Sequence, residues 1–230
     1  MKGILLFSGG LDSTVSLSRA VKETDVEIAL TFDYGQRAAN KEIEASGKIC
    51  REYGIRHQVI ELAWLAEVTS TALVNKEVEI PLNNFGDESA KKVWVPNRNG
   101  IFVNIAAGFA EGLGLSRIIT GFNQEEAQTF KDNSSEFVEA INQCLKLSTL
   151  SPVKVVSFTG NLKKDEIVSL GIKLGAPLRK IWCCYFGNDL LMCGKCESCQ
   201  RAIFAFRKAK AWEMIKDRFV RLEEKGEISG

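Results

Sequence analysis

The order of apolar runs in this chain predicts an α/β fold: a doubly wound, mostly parallel, five-stranded Rossmann-like sheet with helices on both faces. Three observations predict it. Short apolar runs alternate with helical patterns from residue 3 to residue 174, the layout of repeated strand–helix–strand units. Several of the runs are continuous, as expected of parallel strands buried on both faces. The composition, 45% hydrophobic and 26% charged over 230 residues, suits a globular chain long enough to bury a large core.

The elements follow in order. Residues 3–7 (GILLF) form a continuous apolar run that stops at Ser8-Gly9-Gly10, a buried strand entering a loop. Helical spacing of Leu11, Val15, Leu17, Ala20 and Val21 covers 11–22. A second strand, 26–32, ends at Asp33-Tyr34-Gly35. A polar helix over about 38–53 follows it, closed by Gly54. Residues 56–62 are a third strand whose following helix is only weakly signalled. The stretch 75–92 is polar and aperiodic and reads as an exposed loop. An Ala-rich helix over 100–113 is of the buried type, and 116–120 is a fourth strand ending at Gly121-Phe122-Asn123. A helix over 133–147, a fifth strand at 153–158 and a helix over 163–174 closed by Gly175 complete the pattern. Two helical stretches finish the chain after the cysteine-rich segment 176–200.

Composition excludes several classes. With 30 Lys+Arg against 29 Asp+Glu, the net charge of +1 argues against broad electrostatic binding of nucleic acid. No window approaches eighteen uncharged apolar residues, so no membrane span is expected. The N-terminal apolar stretch is interrupted by Gly-Gly and Asp12 before reaching secretory length. The single histidine, His57, lies in an apolar-alternating run and reads as structural, which excludes a site with several His ligands. Seven cysteines, an odd count with no export signal, point to a reducing compartment, and the cytoplasm is the expected location. Cys50 and Cys144 lie on helical patterns and are expected to be buried.

The segment Phe7-Ser8-Gly9-Gly10-Leu11-Asp12-Ser13-Thr14 joins the first strand to the first helix. Unpaired backbone N–H groups and the positive dipole end favour an anion at such a junction. Two glycines let backbone approach phosphate closely, and Ser8, Ser13 and Thr14 add hydroxyl donors. A carboxylate beside phosphate, Asp12, makes sense with Mg²⁺ between them. The string lacks the lysine of the P-loop. The other strand ends bring Asp33, Tyr34, Gly121 and Asn123, with Arg98 and Asn99 from a loop, toward the same sheet edge, where ligands of open α/β sheets bind. Tyr34 is expected either to stack on a purine-like ring or to serve as a core aromatic.

Cys184, Cys193, Cys196 and Cys199 place four thiols within sixteen residues. Spacings of two residues between cysteines suit one tetrahedral Zn²⁺, and four thiolates leave no open position, so a structural site is expected. An iron–sulfur cluster or redox chemistry is the alternative. Cys183 competes with Cys184 for the first ligand position.

The SGGxDS string resembles the pyrophosphate loop of the N-type ATP pyrophosphatases, the PP-loop superfamily with the adenine nucleotide alpha hydrolase-like fold. Together with FDYGQR at 32–37, VPNRN at 95–99, GFN at 121–123, KDEIV at 164–168 and the Trp182–Cys199 block, it resembles the 7-cyano-7-deazaguanine synthase family over nearly the whole chain. That resemblance implies an ATP-binding domain over residues 1–175 and a helical zinc-binding extension over 176–230. It implies an ATP-dependent ligase that adenylylates 7-carboxy-7-deazaguanine, takes up ammonia to give an amide, and dehydrates the amide to the nitrile precursor of queuosine and archaeosine. ATP, Mg²⁺ and Zn²⁺ are the implied cofactors. Residues 7–14, Asp33, Tyr34 and Gly121 are expected at the nucleotide. Arg98 and Lys164 are expected against phosphate or carboxylate charge, with Ser8, Asp12 and Ser13 completing the reacting group. Tyr34, Arg98, Asn99, Asn123 and Asp132 are expected at the acid, where Asp132 could accept hydrogen bonds from a guanine-like edge. Asn133-Ser134 stand where the family usually has Cys-Arg, and Ala38 where histidine is common. The expected partners are the small acid and ammonia, with no membrane and no direct nucleic-acid contact; a homodimer is left open. Another carboxylate-activating amide ligase of the superfamily is the competing reading, and a tRNA sulfurtransferase the more distant one.

Overall fold

A computed structural model describes residues 1–82, 87–187 and 190–220. Five strands, β1 (Lys2–Leu6), β2 (Asp25–Asp33), β3 (Arg56–Glu61), β4 (Arg117–Thr120) and β5 (Lys154–Ser157), form one sheet in the order β3-β2-β1-β4-β5. Every pairing is parallel. Successive side chains along a strand point to opposite faces. Ile4 and Leu5 of β1, and Ile118 and Ile119 of β4, accordingly enter two different apolar clusters. This explains the unbroken apolar runs in the sequence.

Against one face pack α1 (Leu11–Glu23), α2 (Ala39–Tyr53) and α8 (Lys164–Leu174) through Leu11, Val15, Leu17, Ala45, Ile49, Ile167 and Val168. The other face carries α5 (Arg98–Gly112) and α7 (Ser135–Ser148) through Val103, Ala106, Ala107 and Leu145. α2 and α8 both end on a glycine in the left-handed region, Gly54 at φ 65° and Gly175 at φ 71°, where a side chain would be strained. Described residues of the segment after Gly175 pack onto the core of the sheet. Leu178, Ile181, Trp182, Met192 and Phe206 lie in the same cluster as Leu5 and Leu11. Among the described residues of this segment the α-helix is α9 (Glu197–Lys208), followed by two single 3₁₀ turns.

Some expectations need correction. The stretch 75–92 is not all loop, because α4 (Asp87–Val93) is helical and buries Ala90 and Val93; residues 83–86 lie outside the described residues. Cys144 is exposed, since α7 buries only Leu145. The weakly signalled helix after β3 is the five-residue α3 (Ala63–Glu67), and a short α6 (Gln124–Thr129) follows β4 unannounced. No helix among the described residues is long and apolar enough to cross a membrane.

The strand order reverses between β1 and β4: the chain moves outward to β3 on one side, then returns to the other side of β1. The crevice at the carboxyl ends of these two strands is therefore the topological switch point, where open α/β sheets bind ligands.

Candidate active site

A cavity of about 290 Å³ occupies that crevice. Its floor is the loop between β1 and α1. Gly10 is the N-cap of α1, in extended conformation and with no side chain capping the helix, so the first-turn N–H groups of Leu11, Asp12 and Ser13 stay available at the cavity wall. Ser8 Oγ accepts from Gly10 N at 3.3 Å and lies 3.2 Å from Ser13 Oγ, which fixes the loop. Two glycines are required by close packing. Gly9 has φ 69°, and a Cβ on it would stand 2.9 Å from Ser46 N of α2. A Cβ on Gly121 would stand 2.7 Å from Ser13 N, so the end of β4 runs directly against the first turn of α1.

Above the loop lies an ionic cluster. Lys164 Nζ, at the start of α8, is 2.5 Å from Asp12 Oδ2 and 2.6 Å from Glu126 Oε1. Two neighbours hold this geometry: Glu125 Oε1 accepts from Lys164 N, and Asn123 Oδ1 accepts from Glu126 N at the start of α6. Burial pushes the Asp12 carboxyl up to about 6, against the pull of Lys164. Burial works against the charge on Lys164 as well, but the two carboxylates outweigh it and raise its pKa. From the C-terminal segment, Glu197, Ser198 and Arg201 of α9 reach the same cavity. Glu197 is buried, and its Oε1 accepts from Arg201 Nε at 3.0 Å and Nη2 at 2.6 Å.

The opposite end is aromatic. Phe32 stacks on Phe102 at 4.0 Å between centroids, Tyr34 tilts against Phe102, and Trp94 stacks on Phe130 at 5.7 Å. Arg98 enters from the start of α5 and donates from Nη1 to Tyr34 Oη at 3.1 Å. Burial raises the Tyr34 and Asp132 pKa values, in each case against the opposing charge of Arg98. Asp132 is held at its backbone oxygen by Asn99 Nδ2 and at Oδ1 by Asn133 Nδ2. Behind Tyr34, the amide of Gln36 bridges Tyr34 N and the carboxyl of Glu42, which burial pushes up. One end therefore suits a polyanion and the other a flat, polar-edged ring.

The sulfurs of Cys184, Cys193, Cys196 and Cys199 lie within 4.8 Å of one another. Backbone N–H groups of Phe186 and Cys193 point at Cys184 Sγ, and those of Lys195 and Cys196 at Cys193 Sγ. Such donors suit thiolates, so this set fits one tetrahedral ion with no open position. Cys183 is not part of it: its Sγ contacts Met192 Sδ at 3.3 Å, and the residue faces the cavity.

Comparison with known proteins places this geometry. The family model described as Queuosine biosynthesis protein QueC matches residues 2–210. The chain belongs to the QueC family. A relative from Carboxydothermus hydrogenoformans, a 7-cyano-7-deazaguanine synthase, is 57% identical over 206 residues, covering 87% of this chain and 95% of its own. A second, from Methanosarcina barkeri and of the same name, is 46% identical over 229 residues, covering 95% of this chain and 99% of its own.

Within this QueC-family site, the structure brings together Phe7, Ser8, Gly10, Leu11, Asp12, Ser13, Tyr34, Arg98, Asn99, Gly121, Asp132 and Lys164 along one cavity. Four expected residues do not line it. Gly9 turns toward α2, Thr14 is fully buried in α1, Asp33 accepts from Gly35 N in its own turn, and Asn123 caps α6. Sequence reasoning missed Glu42, Glu126, Glu197 and Arg201. Each is a charged residue on a helix, and such residues are mostly solvated. The available signal was Lys164, whose burial requires acidic partners.

Proposed function

We propose that this chain is an ATP-dependent ligase that converts 7-carboxy-7-deazaguanine and ammonia to 7-cyano-7-deazaguanine. The observation that carries this reading is the two-ended cavity: an N-terminal helix loop with a buried ammonium at one end, and a ring-binding pocket with Arg98 and Asp132 at the other.

In this proposal the helix N–H groups and the hydroxyls of Ser8 and Ser13 hold the ATP phosphates. Asp12 fits Mg²⁺, which would neutralise phosphate charge; its Oδ1 is buried without a hydrogen-bond partner among the described residues. Zn²⁺ fits the four cysteines in a structural role. Arg98 orients the carboxylate of the acid, and Asp132 accepts from the guanine-like edge. A carboxylate oxygen attacks the α-phosphorus and pyrophosphate leaves. Ammonia then attacks the acyl carbon and AMP leaves, giving the amide. A second ATP adenylylates the amide oxygen, and loss of AMP and protons gives the nitrile. The logic is leaving-group activation, because oxide is not expelled from a carboxylate whereas AMP is. Lys164 offsets the charge that develops on the phosphates, and the ring stacks among Tyr34, Trp94, Phe102 and Phe130.

The test is direct. Incubation with ATP, Mg²⁺, ammonium and 7-carboxy-7-deazaguanine is expected to yield the nitrile and AMP by mass spectrometry. ADP as the sole nucleotide product would exclude adenylylation, and turnover of a different acid alone would reassign the substrate. D132N is expected to raise KM for the acid about 10-fold or more while leaving KM for ATP unchanged.

A further inference from the structure

The phosphate-loop end of the cavity carries three carboxylates, Asp12, Glu126 and Glu197, against two cations, Lys164 and Arg201. A polyphosphate adds further negative charge, so the donors left free on those cations decide where it is held. Lys164 gives two of its three donors to Asp12 and Glu126. Arg201 is used differently. Its Nε and Nη2 converge on a single oxygen of Glu197, and Nη1 has no hydrogen-bond partner among the described residues. The Nη1/Nη2 edge is thus a vacant two-pronged donor, the geometry that matches phosphate. The side chain is only 28% exposed, and Glu197, 5% exposed, holds it. Arg201 also lies close enough to Glu126 for its charge to lower the Glu126 pKa, which places it beside the Lys164 cluster.

We infer that Arg201 is a phosphate-binding residue of the ATP site, contributed by the cysteine-bearing C-terminal segment and aimed by Glu197. The inference deepens the ligase reading, on which it rests. Cys196 is the N-cap of α9 and Cys199 lies in its first turn, so the cysteine cluster anchors the helix that carries Arg201. The cluster therefore sets the position of a ligand-binding cation as well as stabilising a loop.

The test measures binding of α,β-methylene-ATP with Mg²⁺ by titration calorimetry, so it reads out without turnover. R201Q is expected to bind the analogue about 10- to 100-fold more weakly, the scale of a charged hydrogen bond. Affinity for 7-carboxy-7-deazaguanine and metal content should stay unchanged. R201K keeps the charge and the pairing to Glu197 but loses the fork, and is expected to be weakened about 10-fold. Wild-type analogue affinity in R201Q would overturn the inference, as would equal weakening toward the acid. If R201Q does not fold, undiminished affinity in R201K overturns it instead. Failure of wild-type protein to form the nitrile would remove the substrate assignment while leaving these affinities interpretable.

Discussion

Lys164 Nζ lies 2.5 Å from Asp12 Oδ2, across 152 positions of sequence, and ties the start of α8 to the first turn of α1. The same ammonium reaches Glu126, so one buried cation holds two carboxylates together at the mouth of the phosphate loop.

Removing that cation leaves two carboxylates facing each other in a poorly solvated site. K164M is expected to cost about 3–5 kcal/mol of stability at pH 7, measured by urea unfolding. The sign with pH follows from the carboxyl groups. Asp12 already titrates near 6, above its unfolded value of 3.8, and loss of the lysine pushes it higher. Protonation then favours the folded state, so the deficit should shrink as pH falls from 7 to 5. A deficit constant across that range would mean that the contact is apolar packing.

His57 offers a second pH signature. Thr31 Oγ1 spends its proton on Phe7 O, so His57 Nε2–H donates to Thr31 Oγ1 at 2.8 Å. Burial lowers the His57 pKa below 6.5, so the unfolded chain binds the proton more readily. This contribution to stability is fully present above about pH 7 and is lost as pH falls through 6.5 toward the folded value. Asp12, raised to about 6, acts in the opposite direction, and comparison with H57Q separates the two. Wild type minus H57Q should decline between pH 7 and 6; a flat difference would contradict the burial effect.

Gly121 is a contact residue at the switch point. In G121A the new methyl meets Ser13 N and Cα, backbone atoms that cannot swing aside. A cost of about 1–3 kcal/mol is expected, with loss of measurable α,β-methylene-ATP binding and retention of the metal. Normal analogue binding would show that the loop tolerates displacement.

The cysteine set makes a sharp prediction because Cys183 and Cys184 are neighbours with different surroundings. Elemental analysis should find one zinc per chain, lost in C196S and kept in C183S. Equal loss in both variants would place Cys183 among the ligands, and an iron-containing, coloured protein would replace zinc with a cluster.

The inner strands β1 and β4 were legible because burial on both faces makes each an unbroken apolar run with turn residues at its end, and the edge strand β3 was legible from its alternation. The loop between β1 and α1 was legible because its glycines and hydroxyls lie within eight consecutive residues. α4 was not, because DESAKKV has just two apolar residues, Ala90 and Val93, too few for a helical period. Cys144 misled because average burial of a residue type does not say which side of a helix it occupies.

The sequence by itself determined the parallel sheet, the glycine- and hydroxyl-rich loop between β1 and α1 and the four-sulfur cluster, since each is written in residues close together along the chain. Tertiary structure alone decided that Glu126 and Glu197, indistinguishable in sequence from solvated acids, are buried beside Lys164 and Arg201. It also decided that the cysteine-bearing helix forms a wall of the cavity. The contact of Lys164 with Asp12 joins positions 152 apart, and the reversal of strand order at β1 and β4 brings α1 and α8 to one crevice.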